Sequence, residues 1–186
     1  MSTGDASAAL ARSRVLIVCP KYYPTEEGLA HYTTEFARHL AARADVAVWT
    51  SDLSAGVDHG AHGVTVIANV RRWNLLGPFA SIRPALEFEP DRILIQFVPF
   101  MYAERGGINF TLVALAWFWA VHARLNGKRG VEVMFHETWF PFAWEPKAIV
   151  MTVCHRAMAF GVAAVARRNF CSTFVAARMV KKLLRP

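Results

Sequence analysis

His136 and Glu137 leave the apolar run Val131–Phe135 side by side, an imidazole beside a carboxylate where a buried strand would open to solvent. Imidazole titrates near neutrality, so a histidine at such a mouth suits proton transfer and equally suits one hydrogen bond to a substrate hydroxyl. Successive residues leaving a strand point to opposite faces, so one group can meet a ligand while the other holds the loop. The same loop carries Trp139, Phe140, Phe142 and Trp144, flat rings that either stack on sugars, touch lipid or fill core. Gln96, near the end of the run 92–97, and Tyr102, Glu104 and Arg105 after it offer polar contacts to hydroxyls, or a solvated loop. A third group is Glu27, Gly28 and Leu29, between the apolar run Val15–Cys19 and an amphipathic segment. Strand, loop and helix N-terminus in that order aim backbone N–H groups at one point, which suits a diphosphate or another anion. Gly28 allows a positive φ or a close backbone approach, whereas Glu26 and Glu27 oppose a phosphate there.

Other chemistries lack their signatures. The seven histidines form no H-E-x-x-H pattern, so no metal site is expected. Neither G-x-S-x-G nor a P-loop occurs, and no nucleic-acid-reading motif is present. The dinucleotide fingerprint G-x-G-x-x-G is missing, which leaves Asp52 a turn or cap residue rather than a ribose ligand. Cys19, Cys154 and Cys171 are odd in number, far apart and without CxxC spacing, which fits a reducing cytoplasm.

These groups need a scaffold, and the hydrophobic pattern supplies one. Short apolar runs at 14–19, 45–50, 64–69, 92–97, 131–135 and 169–172 predict strands. Most are apolar on both faces, as strands covered by helices on each side must be. Helical periodicity predicts helices over 29–43, 79–88, 108–125, 147–166 and 174–184. The alternation predicts a doubly wound, mainly parallel α/β sheet, Rossmann-like, spanning 14–186 after a frayed polar tail over 1–13. The tail lacks the apolar core of a secretory signal. Ligands of such sheets bind beyond the strands' carboxyl ends, so loops 20–28, 97–107 and 136–146 are expected to line one crevice.

Two stretches raise the question of a membrane. Gly106–Ala123 carries no formal charge, and reads as a buried crossover helix before a membrane-touching one or a span. From Pro146 to Pro186 there are eight Lys or Arg and no acid, against 13 basic and 14 acidic residues elsewhere. A one-signed third of this kind meets anionic headgroups or an acidic partner, or is simply a solvated face.

The segment from Pro24 to Leu40, PTEEGLAHYTTEFARHL, resembles the opening of glycosyltransferase family 4, retaining enzymes of the GT-B fold. Gln96–Tyr102 and the His136-Glu137 step resemble that family's later post-strand segments. The resemblance implies the N-terminal, acceptor-binding half of such an enzyme. It would transfer sugar from a nucleotide-sugar donor to a saccharide or lipid-linked acceptor without metal or cofactor. It maps the donor-diphosphate loop to Glu27, Gly28 and Leu29, and places His136 near the reacting sugar with Glu137 beside it. Gln96, Tyr102 and Trp139 would then meet the acceptor. Two departures stand out: Glu27 replaces a family glycine, and the family's nucleotide-binding C-terminal domain is expected to be missing from this chain. Turnover is therefore expected to need a second domain or chain. The competing expectations are a non-catalytic saccharide-binding or membrane-docking module, peripheral on the cytoplasmic membrane face, and a dinucleotide-binding oxidoreductase domain.

Overall fold

In the computed structural model, which describes residues 12–51, 63–74, 76–103, 108–139 and 144–185, strands and helices alternate. The order is β1 (Arg14–Val18), α1 (Gly28–Ala41), β2 (Asp45–Ser51), β3 (Val64–Val70), α2 (Gly77–Ala80), α3 (Arg83–Glu87) and β4 (Arg92–Phe97). A 3-10 turn at Pro99–Tyr102 leads to α4 (Thr111–Leu125), β5 (Gly130–Phe135), α5 (Pro146–Val165), β6 (Arg168–Cys171) and α6 (Phe174–Leu183). The six strands among the described residues are all parallel, in the order β3-β2-β1-β4-β5-β6. The doubly wound Rossmann-like sheet expected from the alternation is present.

Side-chain alternation divides the core. In register, Leu16 lies beside Ile93 and Ile93 beside Val131, and this face packs on α4 and α5. The opposite face, with Val15, Ile17, Val46 and Val64, packs on Leu29 and Ala37 of α1. Chain direction explains this: β1 to β3 and β4 to β6 progress outward in opposite directions, so right-handed crossovers put their helices on opposite faces.

One element differs from expectation. The helix expected over 79–88 is two short ones, α2 and α3, separated at Ser81–Ile82. Pro84 sits in the first turn of the second; it has no N–H to give, and its ring would clash with the carbonyl of Ala80 in a continuous helix. Residues 1–11 of the expected tail lie outside the described residues. Arg12 and Ser13 are attached: the Ser13 carbonyl accepts the Asp45 N–H, and Arg12 pairs with the Asp45 carboxylate.

Candidate functional site

The strand order reverses between β1 and β4, and the loops leaving these two strands part there to open a crevice. Tyr102 fixes the divide. It is 1% exposed, and its hydroxyl lies 2.8 Å from the Gln96 carbonyl and 3.1 Å from that of Val18. This hydroxyl is committed to the backbone of both strands, so Tyr102 positions the crevice rather than offering a hydroxyl to an acceptor.

The structure brings His136 to the N-terminal end of α1. Its ring meets Tyr32, one turn into that helix, edge-on with centroids 4.7 Å apart. Strand alternation sends His136 to the same face as Met134, two residues before it, and hence as Gln96, the register partner of Met134 on β4. The His136 Nε2 lies 2.6 Å from Gln96 Oε1. Burial lowers the His136 pKa below the ordinary histidine value of 6.5, so the ring is neutral at pH 7. A neutral ring donating from Nε2 presents Nδ1 as an acceptor, and Nδ1 has no hydrogen-bond partner among the described residues. Gln96 is fully buried, and its Nε2 likewise has no partner among the described residues. Glu137 is exposed on the other side of the chain, and the described contacts do not join it to His136.

Gly28 begins α1 with Glu27 as its extended N-cap, and no side chain caps the helix. The first-turn N–H groups therefore have no intrahelical acceptor. Gly28 is not in the left-handed region, and a Cβ added to it would meet nothing within 4 Å. What glycine supplies here is open space beside the backbone. Leu29 is buried against the α1 face of the sheet. The Glu27 carboxylate lies 3.4 Å from Lys21 Nζ, which offsets the negative charge its position brings to the helix end.

The crevice itself measures about 1050 Å³. Its walls include the cations Lys21, Arg71 and Arg72 and the rings of Trp73, Phe100 and Phe110. Ser51 organises one wall, donating to the Pro20 carbonyl at 2.6 Å and accepting from Trp73 Nε1 at 2.9 Å. Asn109 joins the other two: its Nδ2 donates to the carbonyls of Trp73 and Tyr102, and its Oδ1 accepts the Thr111 N–H at 3.0 Å. Arg71 to Asn74 follow β3, a strand end whose loop was not among the three expected to line the crevice. The rule that ligands gather at carboxyl ends of strands applies to β3 too, and would have found them.

Of the aromatic loop, Trp139 packs against the core under the Arg156 guanidinium, 5.1 Å from the ring centroid, rather than facing the crevice. Trp144 is almost fully exposed, while Phe140 and Phe142, with Asp52, Glu104 and Arg105, lie outside the described residues. Cys19 is a buried thiol whose pKa is pushed up to about 11 by burial, with its Sγ 2.8 Å from the Lys21 carbonyl. It is a core residue rather than a nucleophile. Among the described residues no cluster of three His, Cys, Asp or Glu could hold a metal ion. Set against known proteins, the chain matches no protein-family model and no curated protein.

Proposed function

We propose that this domain is the acceptor-binding half of a retaining glycosyltransferase that uses a nucleotide-sugar donor. The observation that carries the reading is the contact of His136 with Tyr32, one turn into the uncapped α1, at the switch point of a parallel sheet; Glu27, before that helix, lines the crevice of mixed cations and rings, whereas no described residue of the expected loop 136–146 does. Sugar transfer asks for two things here. The departing diphosphate needs positive potential, which first-turn N–H groups at Gly28 and Leu29 supply. The sugar at the reacting centre needs a polar group with an unshared electron pair, and His136 Nδ1 is such a group. The crevice then takes the acceptor: flat apolar rings such as Trp73 and Phe110 suit pyranose faces, and Lys21, Arg71 and Arg72 suit an acidic or phosphorylated acceptor. The donor nucleotide is held by a second α/β domain, on this chain's own sequel or on another polypeptide.

The sheet order also occurs in dinucleotide-binding domains, which makes that the reading to exclude. Calorimetric titration of the chain with phosphorylated and neutral saccharides, and with NAD, separates the two. The expected result is saturable binding of a saccharide phosphate, weakened about tenfold by Arg71→Ala, with no heat from NAD. Binding of NAD with no response to any saccharide would replace the glycosyltransferase reading. Gly28→Ala adds a second measurement. With nothing in contact distance of the new Cβ, thermal unfolding is expected to stay within about 1 kcal/mol of wild type. Sugar transfer, assayed with the donor-binding domain present, is expected to fall because the methyl group occupies the diphosphate's approach. Unchanged transfer would mean the helix start does not meet the donor.

A further inference from the structure

The outward sides of α4 and α5 are apolar where a soluble domain would carry charge. On α4 and its N-cap the exposed positions are Phe110, Ala114, Trp117, Val121, Arg124 and Leu125, a stripe at helical spacing that is apolar up to the cation in its last turn. On α5 they include Val150, Val153, Ala157, Phe160 and Ala164, a second such stripe. Trp117, Val121, Val150, Val153 and Phe160 are each more than half exposed, and Leu125 is 80% exposed. Both helices bury their other sides on the same sheet face, so the two stripes face outward together. The helices are also held close. A Cβ on Gly161 would meet Val113 Cγ1 at 2.6 Å, and Trp117 Nε1 donates to the Gly161 carbonyl at 3.2 Å. An apolar surface on two adjoining helices exceeds the scattered exposed hydrophobics of an ordinary monomer.

Within the helices the charge has one sign, with the exposed Glu145 standing just before α5 as its N-cap. No Asp or Glu occurs in α4, α5 or α6, whereas Arg124, Lys147, Arg156, Arg178, Lys181 and Lys182 do. Where α4 ends, a groove of about 480 Å³ sets Trp117 and Val121 against Arg124, Lys128, Arg129 and Arg167. Lys128 is paired with Asp91 at 3.1 Å; Arg124 and Arg129 are exposed without an ion pair among the described residues. An apolar wall closed by guanidinium groups matches a phospholipid, with its phosphate at the cations and its first methylenes along the rings.

We propose that the α4–α5 face docks on an anionic lipid bilayer, lying in the plane of the interface, with a headgroup phosphate in the Arg124–Arg129–Arg167 groove. This places docking on a helical face rather than on the aromatic loop, whose Trp139 is turned into the core. Among the described residues α5, with 20 residues, is the one helix long and apolar enough to cross a membrane. It instead lies on the sheet, its inner side, from Ala148 to Ala163, built into the core. The inference stands independently of the glycosyltransferase reading, but it bears on it. The α4 stripe starts at Phe110, which also lines the large crevice, so a bilayer under this face would lie beside that crevice's mouth.

Flotation with vesicles tests the proposal. The chain is mixed with phosphatidylcholine vesicles, with or without phosphatidylglycerol, at low and high salt. Binding is expected with phosphatidylglycerol only, and it should weaken as salt shortens the screening length. Arg124→Gln is expected to weaken it about fivefold, the equivalent of one surface cation. Val121→Gln with Phe160→Gln, both at sites more than half exposed, should abolish it while leaving the circular dichroism spectrum and melting temperature unchanged. Equal binding to neutral vesicles, or full binding by the double variant, would overturn the proposal. So would a dimer in sedimentation equilibrium that the double variant dissociates and that ignores vesicles; that result would assign the face to a second copy of the chain.

Discussion

On the proposed glycosyltransferase reading, replacing His136 with alanine is expected to lower sugar transfer by about 10²–10⁴-fold, the range for removal of a positioned acid–base or polar group. The assay is turnover with the donor-binding domain present. Turnover within a few-fold of wild type would take the imidazole out of the chemistry. The fold should survive the change, because the ring is only part-buried and its contacts are the Tyr32 edge and the Gln96 amide. His136→Gln retains a donor toward Gln96 but no ring lone pair at the Nδ1 position, so it should keep stability and still lose turnover. Stability also carries a pH signature. The folded pKa of His136 lies below its unfolded value of 6.5, so between these two values the unfolded chain binds the extra proton. The histidine therefore favours the fold above 6.5, and that contribution is lost as pH falls from 6.5 toward the folded value. Melting curves from pH about 8 down to about 5 should show a decline that is shallower in His136→Gln. Parallel declines would mean the ring is not held neutral by the fold.

Asn109 is the second residue with a large expected effect, this time on stability. It is 8% exposed and supplies both donors and an acceptor to three backbone groups around the crevice, at Trp73, Tyr102 and Thr111. Asn109→Ala leaves these backbone groups without their partner and is expected to cost about 2–4 kcal/mol in urea unfolding. Asn109→Asp is nearly isosteric and keeps the acceptor for the Thr111 N–H. Its carboxylate, however, would face two carbonyl oxygens in a buried place, so it should be less stable than the alanine variant. Saccharide affinity should fall in both, since the crevice walls lose their tie. An aspartate variant as stable as wild type would show that the two carbonyls do not depend on this amide.

The elements were written plainly in the sequence. Runs such as VLIVC at Val15–Cys19 and ILIQF at Ile93–Phe97 are too apolar for an exposed strand, and the helical stripe from Leu29 to Leu40 has one dry side. Local periodicity and chain length dictate such features, and the parallel sheet follows because helices lie between the strands. The break at Pro84 was equally local, and a proline five residues into an expected helix is its signal.

What residues 131–137 could not say was which way each side chain turns. Alternation predicts only that His136 and Glu137 diverge; the sheet decides that His136 meets Tyr32 and Gln96 while Glu137 goes to solvent. The Tyr102 hydroxyl read as a ligand group until the pairing of β1 with β4 put two carbonyls beside it. Arg71, Arg72 and Trp73 join Lys21 because parallel β3 ends at the same rim as β1, which the carboxyl-end rule applied to the run 64–69 already implied. The exposed stripes of α4 and α5 were also beyond the sequence. A helix apolar on all sides reads as buried, and only packing on one sheet face, with nothing from the described chain on the other, turns half of it outward. The sequence by itself determined the strands, the helices and the sheet they build, because each rests on neighbours along the chain. The tertiary structure alone decided which polar groups meet and which apolar face stays open, because those depend on contacts between residues far apart in the chain.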